Sequence, residues 1–196
     1  MKTTYPKVKI CTISLAILIS LAFATTLGFY GKINSITTIQ PPKFYASTTK
    51  PDGSVYYSLY INNLPDEAKG TLTWYDRNSI FFVSLPINVT SWPPANWTIF
   101  LNIATNKVGS GIEIILEVID KNGFTRHLIC SQQITLNSNS NETYEINCAS
   151  DGISNMSPDD MLYFEVRGLA METTTEYTIY ADGTTRIEIS YGSQGE

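Results

Sequence analysis

An all-β body, folded as an antiparallel two-sheet β-sandwich, is what this sequence predicts, and three observations carry it. Apolar and polar residues alternate with a period of two through much of the chain, the spacing that buries one face of a strand and wets the other. Turn residues punctuate the runs at Pro51-Asp52-Gly53, Lys121-Asn122-Gly123 and Asp182-Gly183, where Asn-Gly and Asp-Gly supply the positive φ of tight hairpins. No stretch of about 12 residues carries a helical apolar stripe. About nine or ten strands at this spacing suit an Ig-like or jelly-roll sandwich.

The first element is an export segment. Lys2, Lys7 and Lys9 precede an apolar run from Ile10 to Ala24, and such a charge asymmetry keeps the amino end on the cytoplasmic side. Ala22-Phe23-Ala24 places small residues where a signal peptidase requires them, so residues 1–24 read as a signal peptide. The alternative is an uncleaved membrane anchor reaching about residue 30 through Leu27, Phe29 and Tyr30. No Lys-Gly or Arg-Gly pair stands before Ile10, which sets aside a pilin-type leader. Either way, the remainder is expected to work outside the cell, tied to a membrane only if the segment stays uncleaved.

Residues 25–40 read as a long strand with one apolar row, Leu27, Phe29, Gly31, Ile33 and Ile39, and almost no charge. Pro41-Pro42 ends it and sets it apart from the body, residues 43–196. A terminal strand so separated can pair with another chain. Burial of its four large side chains would contribute on the order of 6–10 kcal/mol before ordering costs. Pairing within its own sandwich is the competing reading.

Strand rows follow in order. Val55, Tyr57, Leu59 and Ile61 share a face, as do Trp97, Ile99, Leu101 and Ile103. Ile112, Ile114, Leu116 and Val118 alternate with Glu113, Ile115, Glu117 and Ile119; Leu162, Phe164 and Val166 alternate with Tyr163, Glu165 and Arg167. Ile187, Ile189 and Tyr191 complete the series. Helix is expected only as a turn or two, at 64–69 or 157–160, and Trp92-Pro93-Pro94 reads as an exposed connection.

Cys11 lies in the export segment, which leaves Cys130 and Cys148 as a pair in an oxidising compartment. Residues 124–136 and 142–148 read as a hairpin around the polar turn 137–141, which sets Cys130 opposite Cys148 on the core side with Leu128, Ile134, Tyr144 and Ile146. A disulfide there would contribute about 3 kcal/mol; two buried free thiols are the alternative.

Thirteen Lys and Arg face 18 Asp and Glu, a net charge of −5; removing the three leader lysines leaves ten cations and −8. Such a chain offers phosphate backbones nothing, which excludes nucleic acid as a partner. His127, the one histidine, sits beside Arg126 on the face opposite Leu128, with no nucleophile or orienting acid in a motif around it. Asp151, Asn155, Asp159 and Asp160 depart from calcium-loop spacing, and Glu113 and Glu117 fit a wetted strand face rather than a glycosidase pair. No enzyme activity, metal or cofactor is expected. Sequons stand at Asn88, Asn96, Asn141 and Asn155, candidate glycosylation sites. Among Trp74, Tyr75, Trp92 and Trp97, Trp92 is the candidate carbohydrate contact.

In its Ala22-Phe23-Ala24 site, its alternating Leu27–Ile39 strand, its diproline and its Thr-, Ser-, Asn- and Tyr-rich body, the chain resembles archaeal surface filament subunits built by donor-strand complementation, the thread and bundling-pilus type. That resemblance covers the general plan and involves no diagnostic motif. It implies an extracellular, glycosylated subunit that polymerises head-to-tail with itself and serves adhesion or biofilm cohesion. The alternative is a monomeric exported or membrane-anchored module that binds carbohydrate or a cell-surface polymer.

Overall fold

The computed structural model describes residues 41–51, 53–171 and 174–191. Eleven strands form in them: β1 (Lys43–Ala46), β2 (Tyr57–Ile61), β3 (Gly70–Tyr75), β4 (Ser79–Ser84), β5 (Ala95–Thr105), β6 (Gly111–Ile119), β7 (Thr125–Thr135), β8 (Glu142–Ser150), β9 (Met161–Gly168), β10 (Glu176–Ala181) and β11 (Arg186–Tyr191). Helix among the described residues is one 3-10 turn, Asp66–Ala68, inside the first of the two expected segments. Residues 157–160 make a turn closed by the Asp160 N–H donating to the Ser157 carbonyl.

The strands build a β-sandwich. One layer runs β8-β5 and then continues with β10 and β11, which lie end to end along the same side of β5. β3 flanks β10 and β1 flanks β11. The other layer runs β2-β4-β9-β6-β7. The β1–β2 ladder makes the two layers continuous at one margin, and β2–β4 is a parallel pair. Tyr177 of β10 donates its hydroxyl to the Gly111 carbonyl of β6 across the interior.

The inner rows of the long strands hold the core as expected. Trp97, Ile99, Leu101 and Ile103 of β5 are at most 1% exposed, and Ile112, Ile114, Leu116 and Val118 of β6 are wholly buried. Both strands have partners on each side, so their inner rows stay buried along their length while the alternate residues face outward. The first row differs: Leu59 is buried, but Val55 and Ile61 are exposed. Strand β2 spans only 57–61 and its ladder with β4 ends at the Leu59–Ser84 pair, so its tip overhangs the partner.

Three expectations are corrected. Asp182-Gly183 makes no hairpin: β10 and β11 both run antiparallel to β5, and the intervening residues carry the chain from beside β3 to beside β1. The 137–141 turn makes no hairpin either. β7 pairs with β6 and β8 with β5, so the chain crosses between layers there. The Cys130–Cys148 disulfide forms nonetheless, with Cα atoms 5.8 Å apart, between the layers. Third, a bulge at Ile129 pairs Leu116 with Cys130 but Glu117 with Leu128. An extra residue reverses side-chain parity, so Leu128 turns outward, 54% exposed, while Ile129 and Cys130 are both buried. His127 falls opposite Val118 and is half-buried.

Candidate functional site

The outer face of the β2-β4-β9-β6 layer brings packed aromatic rings and a bonded polar cluster together. Register sets three rows across it: Ser79, Arg167 and Glu113; Phe81, Glu165 and Ile115; Val83, Tyr163 and Glu117. Tyr56, just before β2, leans over the middle. Its ring centroid lies 6.0 Å from Phe81 and 6.1 Å from Tyr163, both edge-on, and Phe81 stacks on Tyr163 at 6.0 Å. Edge-to-face and offset packing of this kind holds rings in fixed orientations.

Glu165 sits among these rings, 4% exposed although it faces away from the core. A carboxylate is buried this deeply only when bonded on several sides. Ser79 Oγ donates to Oε1 at 2.7 Å, Arg167 donates Nε at 3.0 Å and Nη2 at 2.9 Å to the same oxygen, and the Tyr163 hydroxyl donates to Oε2 at 3.1 Å. Arg167 Nη1 reaches Glu113 Oε2 at 3.1 Å, and Thr125 Oγ1 donates to Glu117 Oε2 at 2.9 Å. Burial, and then the neighbouring Glu165 charge, push the Tyr163 phenol well above its ordinary range. It therefore stays a neutral donor.

Beside this face lies a groove of about 370 Å³, lined by Tyr56, Val83, Leu85, Ile119, Met161 and the 121–123 turn. Gly123 takes φ +83° in that turn, as the Asn-Gly pair requires. Val55, Leu85 and Phe124, in the lining or adjoining it in the chain, are 68%, 74% and 70% exposed. A second groove of about 300 Å³ opens between residues 58–61 and 83–85, where β2 and β4 part.

Sequence-predicted site residues fall elsewhere. Trp92 is not an exposed platform: it is 6% exposed, packs edge-on against Trp97 at 4.9 Å and bridges Ile153. Ring area that large is better buried, and the flanking prolines are what reach solvent. Asn88, Asn96, Asn141 and Asn155 are all exposed. Asn88 and Asn155 lie in loops joined by the Met156 N–H bond to the Thr90 carbonyl. Asp159 pairs with Lys121 at 3.9 Å, and Asp160 is buried and accepts the Ser157 N–H. The signal segment and the donor-strand residues Leu27, Phe29, Gly31, Ile33 and Ile39 lie outside the described residues. Among those described, no helix is long and apolar enough to cross a membrane. Sequence reasoning did place Tyr56, Glu113, Glu117, Tyr163, Glu165 and Arg167 on wetted rows but missed Phe81 and the convergence of all seven.

No protein-family model and no curated protein matches this chain. Solved structures do share its fold. An α-amino acid ester hydrolase superposes with TM-score 0.53 at 10% identity, over 77% of this chain and 36% of that one. An aminopeptidase from a marine sediment Thaumarchaeota archaeon superposes with TM-score 0.52 at 9% identity, over 76% of this chain and 36% of its own. The chain thus spans about a third of the length of either hydrolase, and the likeness is one of fold. The C-terminal CBM6 of LamC from Zobellia galactanivorans matches at 13% identity over 76% of this chain and 97% of its own, but at TM-score 0.39 that superposition is too loose to build on.

Proposed function

We propose that this chain is an exported, non-catalytic β-sandwich module that binds a glycan of the cell surface or its surroundings. One observation carries the reading: Tyr56, Phe81 and Tyr163 are clustered on the same outer face as the bonded set Ser79, Glu113, Glu165 and Arg167. Sugar rings have apolar faces edged by hydroxyls, so a receptor needs apolar ring surface next to fixed polar groups. Here four donated hydrogen bonds lock the carboxylate before any ligand arrives, which lowers the ordering cost of binding. The expected export segment agrees with such a role.

Affinity electrophoresis through gels containing soluble neutral, amino or acidic polysaccharides tests it. The module is retarded by at least one gel, and a Tyr56→Ala/Tyr163→Ala variant with unchanged melting behaviour loses that retardation at least tenfold. Free migration in all three overturns the reading.

A second reading, the self-polymerising filament subunit, draws on one feature. Beyond the Leu59–Ser84 pair the β4-facing margin of β2 has no ladder partner, and it borders the apolar 300 Å³ groove. An apolar segment such as 25–40 of another copy, expected from its sequence to be extended, suits a margin of that kind. Detergent-resistant ladders that vanish when residues 25–40 are deleted are its expected signature; a mature chain that stays monomeric at high concentration overturns it.

A further inference from the structure

Resting on the glycan reading, we infer that this face selects a non-acidic glycan, one that offers hydroxyl or amino donors and carries no carboxylate or sulfate. The charges on the face decide it. Glu113, Glu117 and Glu165 stand against a single guanidinium, Arg167. That guanidinium is already engaged at all three nitrogens, Nε and Nη2 by Glu165 and Nη1 by Glu113, so two carboxylates offset its one charge and only two of its five N–H groups remain. Lys121, in the lining of the adjoining groove, lies 3.9 Å from Asp159, and Arg126 lies 3.5 Å from Asp120.

What the face offers instead is acceptors. Glu113 and Glu117 share one side of β6, separated by about 13 Å along the strand, with Ile115 between them. Each uses a single carboxylate oxygen in its bond to Arg167 or Thr125. Ligand hydroxyls or ammonium groups would meet these oxygens as charge-assisted donors. A uronate or sulfate would meet uncompensated like charge in a partly desolvated setting, which costs several-fold to many-fold in affinity. Because the acceptors are spread along the strand, the ligand that uses both is an oligosaccharide rather than a single sugar.

Titration calorimetry of the mature chain against laminarin oligosaccharides, chitosan oligosaccharides and alginate oligosaccharides tests the inference, with the neutral, amino and acidic arms distinguishing the sources. Laminarin or chitosan oligomers are expected to bind at least tenfold more tightly than alginate. In a Glu113→Gln/Glu117→Gln variant, whose folding is checked by its melting curve, that preference narrows at least fivefold. Equal or tighter binding of alginate, or an unchanged preference in the variant, overturns the inference and leaves the glycan reading standing. Failure of all three oligomers to bind overturns both.

Discussion

Cys130 and Cys148 join the two layers of the sandwich at their open margin, one sulfur from β7, which is paired on a single side with β6, and the other from β8, which is paired on a single side with β5. The opposite margin is closed by the β1–β2 ladder. The bridge therefore stands where no backbone ladder joins the two layers. Gln132 supplements it by donating Nε2 to the Asn147 carbonyl at 3.2 Å.

Removing the bridge should loosen that margin without unfolding the body. A Cys130→Ser/Cys148→Ser variant is expected to lose about 3 kcal/mol, given a closed loop of this size. For a domain of this length that is roughly 6–12 °C in Tm. Hydrogen exchange resolves where the loss falls: amides of β7 and β8 exchange faster, while those of β5 and β6 keep their protection relative to the global free energy. Equal acceleration throughout would show that the bridge supports the whole fold.

Gly168 closes β9 under tight sterics. A Cβ added there would strike the Asp76 carbonyl oxygen and come within 2.6 Å of Tyr177 Cε2. Tyr177 is itself fully buried, stacked on Trp74 with centroids 5.3 Å apart and bonded to Gly111. Neither obstacle is the free end of a flexible chain, so overpacking should cost on the order of 1–3 kcal/mol. A Gly168→Ala variant with an unaltered urea midpoint would contradict this packing.

How much of this was legible in sequence depends on strand position. The inner rows of β5, β6 and β9 were readable because each is flanked on both sides, and every second residue meets the core. The Ile129 bulge was invisible, since one inserted residue leaves composition unchanged while reversing every side chain beyond it. The polar run 137–141 has hairpin chemistry, yet it crosses between layers, because β8 pairs alongside β5, with Ile146 and Cys148 buried, rather than alongside β7. The candidate site was readable only in pieces. Tyr163, Glu165 and Arg167 form a wetted row by period alone, but their meeting with Tyr56, Phe81 and Glu113 depends on the order β2-β4-β9-β6, which joins residues more than 100 positions apart.

Trp92 offers a contrast between stability and binding. Its side chain plugs one end of the core against Trp97, so Trp92→Ala should cost about 3–5 kcal/mol. It lies off the outer face that carries Tyr56 and Tyr163, and glycan affinity measured well below the lowered Tm should stay within twofold. The reverse pattern, lost affinity with unchanged stability, would restore Trp92 as a contact and displace the face proposed above.

Acid should weaken the polar outer face of the other layer. Glu188 of β11 accepts from Arg186 Nε at 2.7 Å and from Lys43 Nζ of β1 at 3.0 Å. The Arg186 bond chiefly, with Lys43 adding to it and burial opposing, holds its carboxyl below the ordinary value of 4.5. A carboxylate whose folded pKa is depressed stabilises the fold above its unfolded pKa, and that contribution fades as pH falls through the folded value. The cluster is largely solvent-facing, which limits it to roughly 0.2–1 kcal/mol. Urea midpoints of the native chain and Glu188→Gln should therefore differ at pH 7 and converge as the pH drops below about 4.5 toward 3. A difference that persists undiminished at pH 3 would mean that Glu188 acts through packing rather than charge.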